Sequence, residues 1–210
     1  MPITVDECRK QFLRHIDEAT NKGKDLLPKK NADSKDKFRY LLNPAVADIA
    51  NKIKIYKTKT FYELEKDTYT GNSVFKLPAD LITVEALYLN GQKHDRYEIR
   101  LPNKLYLDTT ADSIDITYTY VPEKITIYDN TEDEEVNTKN EEKFLKQEID
   151  LPNNICYLVA LKIAGEALKA ENMSLSNYLL NNYNDEINTQ IALNQKNNKG
   201  SVYFQRVYRM

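Results

Sequence analysis

The chain is poor in the residues that usually carry catalysis, metal binding or phosphate binding. Its 210 residues include 5 glycines, 2 cysteines, 2 histidines and no tryptophan, and no glycine-rich loop is present that could hold a phosphate. Neither His15 nor His94 has a neighbouring serine or cysteine that could form a nucleophile and base pair with it. No cysteine or histidine pair has the spacing of zinc ligands. We therefore expect no catalytic residue, no cofactor and no metal site.

Two further absences restrict the class of protein. The 30 basic and 32 acidic residues give a net charge of -2, so no overall positive field favours a dedicated DNA-binding protein. No apolar run approaches the ~18 residues of a membrane span, and no signal peptide pattern follows Met1. We expect a protein made in the cytoplasm without membrane contact. Cys8 and Cys156 lie in separate helical patterns, and we expect both to be small buried apolar groups rather than a disulfide.

Helical signals begin at the first residues. Thr4 and Glu7 match a capping box, which predicts the start of a helix. The charged segment 24–37, which contains a proline and no periodicity, predicts a loop. A second helix is expected from Ser34 or Asp36, with Asn43-Pro44 as a possible restart. Apolar residues three and four positions apart predict the buried face of the first helix: Val5, Cys8, Phe12, Ile16 and Ala19.

From about Lys57 the apolar period changes to two, which is typical of strands. Asn90-Gly91 is a strong hairpin signal, because both residues tolerate positive φ. Residues 114–120 alternate apolar and polar side chains, which predicts a strand with one buried face. Several short strands at this spacing predict a small antiparallel sheet or barrel-like module. The many tyrosines of this region, Tyr62, Tyr69, Tyr88, Tyr106, Tyr118 and Tyr120, are explained by the strand-forming propensity of tyrosine.

The second half of the chain returns to helical patterns after a polar stretch. Residues 129–148 are acidic and polar, which predicts a mobile loop. Within it, the acidic residues 132–135 are a solvated cluster rather than a cation site, because they lack the alternating ligands of a calcium loop. Two helices follow and are expected to form an antiparallel hairpin. Small residues on the first, Gly165 among them, would permit close approach of the second, on which Tyr178 flanks the apolar face.

The last eleven residues, 200–210, carry more apolar side chains than a solvated tail needs. Val202 and Phe204 alternate with polar neighbours, which predicts an extended strand. This segment either folds back as an edge strand of its own domain or forms an arm that adds a strand to a neighbouring protein or fills a groove on it. The second alternative indicates an assembly component rather than an enzyme.

These patterns together predict an α+β fold, in which a helical bundle built from the N- and C-terminal helices carries an inserted small antiparallel β module and an extended C-terminal arm. The expected division is residues 1–56 for the N-terminal helices, 57–128 for the β module, 129–149 for the acidic loop, 150–195 for the helical hairpin and 196–210 for the arm.

Four short motifs occur in an order that resembles a known family. They are Asn-Pro-Ala-Val-Ala-Asp-Ile at 43–49, Phe-Lys-Leu-Pro-Ala-Asp-Leu at 75–81, Ile-Asp-Ile-Thr-Tyr-Thr-Tyr-Val-Pro-Glu-Lys-Ile at 114–125 and Ile-Asp-Leu-Pro at 149–152. The ending Val-Tyr-Arg at 207–209 adds a fifth similarity. The ordered set resembles the head-tail connector or adaptor proteins of tailed bacteriophages, which form a ring beneath the portal.

The resemblance implies a structural protein of the virion neck with no enzymatic activity. Twelve copies would assemble as a closed ring on the portal, joining the head to the next tail or stopper protein, and DNA would pass through the lumen without sequence-specific binding. The C-terminal arm would bind the portal. The residues expected to make that contact are Val202, Tyr203, Phe204, Arg206, Val207, Tyr208 and Arg209.

Two other classes stay open at the level of sequence. The first is a general interaction scaffold with a β insertion that is not viral. The second is an enzyme with an unrecognised carboxylate site, for example at Asp67 or Glu98, which would require paired and shielded carboxylates in a pocket.

Overall fold

A computed structural model describes residues 3–20, 28–100, 103–129 and 131–207; for residues 17–20, 28–35 and 195–207 it describes the backbone alone. The described ranges contain five helices and seven strands. The chain forms two compact units, a sheet unit of Lys54–Val121 and a helical unit of Met1–Ile53 together with Pro122–Met210.

Helix α1 spans Val5–Thr20 and begins at the predicted capping box. The backbone N–H of Thr4 donates to Glu7 Oε2 at 3.0 Å, and the N–H of Glu7 donates to Thr4 Oγ1 at 3.3 Å. The predicted apolar face is confirmed at four positions, since Val5, Cys8, Phe12 and Ile16 are buried. Both cysteines are buried and free, as expected.

Helix α2 spans Pro28–Ile53, so the loop predicted for 24–37 was wrong over residues 28–37, while residues 24–27 lie outside the described ranges. Asn43-Pro44 does not restart the helix, because Pro44 lies within α2 on its exposed side, where water can satisfy the carbonyl that loses its partner. The Asn43 amide instead donates to the Ile125 carbonyl and accepts from the Ile125 N–H, both at 2.9 Å. This pair of hydrogen bonds fixes the segment that follows the sheet unit.

Helix α3 spans Glu134–Lys146, so the mobile loop predicted for 129–148 was wrong over these residues. Asp133 caps the helix by accepting from the N–H groups of Glu135 and Val136. Only Phe144 of α3 is buried, which explains why apolar periodicity did not reveal the helix.

Helix α4 spans Tyr157–Ala167 and is the buried centre of the helical unit, packing against α1, α2 and helix α5, Met173–Val207. The predicted close approach is confirmed at Gly165, where an added Cβ would lie 2.7 Å from Cδ2 and Cγ of Leu180. The Ser176 hydroxyl donates to the Gly165 carbonyl at 2.7 Å across the same contact.

The sheet unit holds seven antiparallel strands in the order β4-β3-β7-β1-β2-β6-β5. Their bounds are β1 Tyr56–Lys66, β2 Ser73–Lys76, β3 Leu81–Leu89, β4 Gln92–Lys93, β5 Tyr97–Arg100, β6 Lys104–Leu107 and β7 Ser113–Tyr120. Strand β1 pairs with β7 through its first half and with β2 through its second half, and the register shifts between Glu63 and Glu65. A bulge at this point bends the strand, and the sheet curls.

The sheet encloses its own apolar core. The alternation predicted for residues 114–120 is confirmed through residue 118, because Ile114, Ile116 and Tyr118 are buried and the residues at 113, 115 and 117 are half-buried. Thr119 departs from it, since its side chain is buried as well. The predicted turn at Asn90-Gly91 is also confirmed, with φ values of 49° and 78° between β3 and β4. The other buried apolar side chains of this unit include Val74, Phe75, Leu77, Leu87, Leu105 and Leu107.

The predicted fold class was therefore wrong. A seven-stranded curled sheet with its own core replaces the small β module that was expected inside a helical bundle. The extended C-terminal arm predicted for 196–210 was also wrong over residues 196–207, which continue α5 as a helix, while residues 208–210 lie outside the described ranges. Extending an existing helix adds one hydrogen bond per residue, whereas an isolated strand has no partner for its backbone groups.

Candidate interaction surfaces

A groove of about 820 Å³ opens on the helical unit between α1, α4 and α5. Leu161 and Leu179 form its buried floor, and Tyr178 stands at its rim with 61% of its surface exposed. Asp185 and Glu186 are exposed at the same rim. The groove thus combines an apolar floor with an acidic edge, and its remaining lining residues are His15, Tyr157, Leu175 and Asn182.

The acidic edge is tied to α4. The Tyr157 hydroxyl donates to Glu186 Oε2 at 2.8 Å. Burial and this hydrogen bond to a carboxylate raise the pKa of Tyr157. The phenol therefore stays protonated and keeps Glu186 in place along the groove.

A part-buried hydrogen bond joins α5 to α2. The hydroxyl of Tyr183, which is fully buried, donates to Asp48 Oδ2 at 2.7 Å. Lys52 Nζ lies 2.9 Å and Lys162 Nζ 3.8 Å from the same oxygen. Burial alone would raise the pKa of Asp48, but the hydrogen bonds from Tyr183 and Lys52 outweigh it and lower the pKa. The pKa of Tyr183 is raised, by burial first and then by the bond to Asp48.

A second ionic contact holds α3. Glu141 accepts from Arg9 of α1 at 2.8 Å and also from Arg39 of α2. The Arg39 guanidinium lies 5.3 Å from the centre of the Phe144 ring. Since Phe144 is the one buried side chain of α3, these contacts fix the helix. The acidic cluster at 132–135 has a local role here, because Asp133 caps α3 and negative charge favours a helix start.

The carboxylates considered for an enzyme site lie in one small pocket of the sheet unit. Asp67 and Glu98 both line a cavity of about 360 Å³. Backbone N–H groups of Tyr69 and Thr70 lower the pKa of Asp67, and a hydrogen bond from Arg100 at 2.6 Å lowers that of Glu98. Both acids are held ionised at an open surface, which suits ion pairing and does not supply the shielded pair that proton donation requires.

The two histidines lie in different units. His94 Nε2 is 2.8 Å from Asp108 Oδ1 and 2.9 Å from the Arg96 carbonyl oxygen, so it fastens the segment after the β3–β4 turn. His15 lies at the groove of the helical unit. Among the described residues, no three histidine, cysteine or acidic side chains come together as metal ligands would.

The sheet unit exposes apolar side chains that the sequence did not identify as a surface. Tyr118 and Tyr120 are buried, as strand formers would be, but Tyr62 and Tyr69 are 76% and 97% exposed. Ile82, at a bulge of β3 where that strand shifts register against β7, is also 56% exposed. Strand β5 forms one open edge of the sheet. Exposed aromatic side chains of this kind are enriched at protein interfaces.

The groove was also missed by sequence reasoning. Apolar residues recur every four positions in the sequence of α5, at Leu175, Leu179, Tyr183, Ile187 and Ile191, which predicts a buried face. The structure confirms it at Leu179, Tyr183 and Ile187, which are buried. The available signal was Tyr178, which lies outside that repeat, with Asp185 about two turns later on the same side of the helix. An aromatic and an acidic residue beside the buried face of one helix do not by themselves indicate a groove, because its other walls come from neighbouring helices.

Of the residues predicted to bind a partner, those at 202–207 lie at the end of α5. The backbone of Val202, Tyr203, Phe204, Arg206 and Val207 is helical, and their side chains are outside the description. Tyr208 and Arg209 lie outside the described residues altogether. Their binding role stays a prediction.

The family-like motifs lie in both units, within elements and between them. Residues 43–49 lie in the last part of α2, residues 75–81 join β2 to β3, residues 114–125 include β7 and its exit, and residues 149–152 precede α4. No protein-family model matches the chain, and no curated protein matches it either. Over the described residues, no helix combines the length and apolar character needed to cross a lipid bilayer.

Proposed function

We propose that the chain is the subunit of a head-tail adaptor ring of a tailed bacteriophage, located at the neck of the virion. The observation that carries the proposal is the ordered set of motifs at 43–49, 75–81, 114–125 and 149–152. The first motif lies within α2, the second joins β2 to β3, the third covers most of β7 and the residues that follow it, and the fourth precedes α4.

Exposed apolar surface on both units supports an assembly role. Tyr62 and Tyr69 of the sheet unit are largely exposed, as is Tyr178 of the helical unit. Tyrosine contributes large contact areas at low cost in side-chain entropy. A ring subunit needs at least two different surfaces, because head-to-tail contacts join one patch to another on the next copy.

In this role the protein acts by position and not by chemistry. Twelve copies surround the channel, the C-terminal residues 202–209 contact the portal, and another surface contacts the next tail or stopper protein. With net charge -2, the ring would let DNA pass without gripping it through counterion release.

The test uses the purified chain mixed with the cognate portal and separated by sedimentation. The full chain should co-sediment with the portal, whereas a chain ending at Gly200 should remain in the supernatant. Circular dichroism of the shortened chain shows whether it is still folded, and the matched control is the full chain with Tyr40→Ala, a largely exposed tyrosine of α2. If the full and shortened chains co-sediment equally, the C-terminal residues do not make the portal contact. If the full chain does not co-sediment with the portal, the proposed adaptor function is wrong.

A further inference from the structure

We infer that the groove between α1, α4 and α5 is a docking site for the C-terminal segment, residues 196–210, of a second copy of this chain. The contact belongs to the free protein, before a portal is met. It rests on the proposed function only for its biological setting, since the chemistry of groove and segment can be tested without a portal.

The groove offers an apolar floor and an acidic edge. Leu161 and Leu179 lie at its base, and Tyr178 presents an exposed ring at the rim. Asp185 and Glu186 place two carboxylates along one side. A ligand that fits this surface needs apolar side chains for the floor and positive charges for the edge.

The segment 196–210 has this composition. It contains four basic residues, Lys196, Lys199, Arg206 and Arg209, and no acidic residue. Its six apolar residues are Val202, Tyr203, Phe204, Val207, Tyr208 and Met210. The charge of the segment is therefore opposite to that of the groove edge, and its apolar side chains match the floor.

The dimensions also agree. The groove residues of α5 run from Leu175 to Glu186, which corresponds to roughly 17 Å of helix at 1.5 Å per residue. If residues 200–210, which carry the apolar side chains, bind as a helix, they would also be roughly 17 Å long.

The segment cannot reach the groove of its own copy while α5 is intact. Helix α5 is continuous through Val207. Val202 is therefore roughly 24 Å beyond Glu186 along the same axis, and the segment leads away from the groove. The docking partner is a second copy, and a contact of this head-to-tail kind joins copies into a ring or a chain.

Fluorescence anisotropy of a labelled synthetic peptide, residues 196–210, titrated with the full-length protein tests the contact. We expect binding that weakens as salt is raised, because the edge contacts are ionic. Tyr178→Ala and Asp185→Lys should each weaken binding about fivefold or more. The matched controls are Tyr40→Ala and Glu132→Lys, which change an exposed tyrosine and an exposed acid away from the groove, and these should leave the affinity within about twofold.

A charge exchange sharpens the test. A peptide with Arg206→Glu and Arg209→Glu should bind the Asp185→Lys protein better than it binds the natural chain. Equal affinity for natural and groove-variant proteins, or no binding to the chain, would overturn the inference. A peptide that binds only the portal would overturn it while leaving the proposed function standing. Binding at the groove by a chain that no portal recruits would support the inference and reject the function.

Discussion

Replacing Tyr183 with phenylalanine tests how α5 is held on α2, because the change removes one hydrogen bond and little else. The ring is fully buried, and its hydroxyl donates to Asp48 Oδ2 at 2.7 Å. Phenylalanine keeps the packing and leaves no buried donor without a partner. The cost is the net value of one hydrogen bond to a charged group, about 1.5–3 kcal/mol.

The lower end of that range applies here. The Asp48 side chain is 32% exposed and keeps Lys52 at 2.9 Å, so water and the lysine stabilise the carboxylate after the hydroxyl is removed. We expect Tyr183→Phe to lower the free energy of unfolding by about 1.5 kcal/mol, which corresponds to roughly 3–6 °C in Tm for a chain of this size. Asp48→Ala should cost more, about 3 kcal/mol, because it leaves a buried hydroxyl without an acceptor.

The pH dependence of the free energy of unfolding provides an independent test of the same contact. The pKa of Asp48 is lowered from its ordinary 3.8, so its stabilisation is present above that pH and is lost as the pH falls below it. The pKa of Tyr183 is raised above its ordinary 10.0, so stability should fall as the pH rises above that value, where the unfolded phenol ionises first. Asp48→Asn should therefore reduce the loss of stability at acidic pH, and Tyr183→Phe should reduce the loss at alkaline pH.

The assay is urea unfolding followed by far-ultraviolet circular dichroism between pH 3 and 11, with Tyr178→Phe as the matched control. Tyr178 lies on the same helix with its ring 61% exposed, so losing its hydroxyl should change stability by less than about 0.5 kcal/mol. Equal stability of the Tyr183→Phe and natural chains, or an unchanged alkaline profile, would refute the account of this contact.

Three further changes test the contacts that organise the helical unit. Gly165→Ala should destabilise by about 1 kcal/mol after the gain in helix propensity, and combining it with Leu180→Ala should cost less than the sum of the two changes in thermal unfolding; strict additivity would contradict the 2.7 Å approach. Glu141→Gln should speed hydrogen exchange of the amides of α3, with a loss of about 1 kcal/mol that shrinks at high salt; unchanged exchange would show that the arginine contacts do not hold the helix. Asn43→Ala should cost about 1–3 kcal/mol and speed exchange of the Ile125 amide, whose partner it removes; a protected Ile125 amide would contradict this.

Local signals with a physical mechanism were predictable from the sequence. The capping box of Thr4 and Glu7 forms both expected hydrogen bonds, and Asn90-Gly91 adopts the positive φ values of its turn. In each case a segment of at most four residues contains the whole interaction. The burial alternation of β7 was predictable for the same reason, since one buried face is enough to specify it.

Features that depend on distant partners were not predictable. Helix α3 has one buried side chain and is held by arginines of α1 and α2 through Glu141, so its own sequence shows no apolar period. Asn43-Pro44 has the local sequence pattern of a helix start. The Asn43 side chain instead pairs with Ile125, 82 positions away, and a local pattern cannot show such a partner. The sheet was underestimated because β1 pairs with two different strands on either side of a bulge, and pairing of this kind has no local signature.

The groove combines both situations. The part of its floor on α5 was predictable from the buried apolar face of that helix. Its acidic edge was not, because Glu186 is placed by a hydrogen bond from Tyr157 of α4. The apolar content of the C-terminal segment and the family resemblance together predict that residues 202–209 bind a partner, and neither says which surface receives them.

Electron-microscope class averages of the cognate portal, alone and mixed with the full chain, would show whether this chain forms the collar that we propose. We expect an added ring of density beneath the portal with the portal's own rotational symmetry, lost when the chain ends at Gly200. A portal that stays bare at saturating concentrations of a folded chain would contradict it and would favour a scaffold role with another partner.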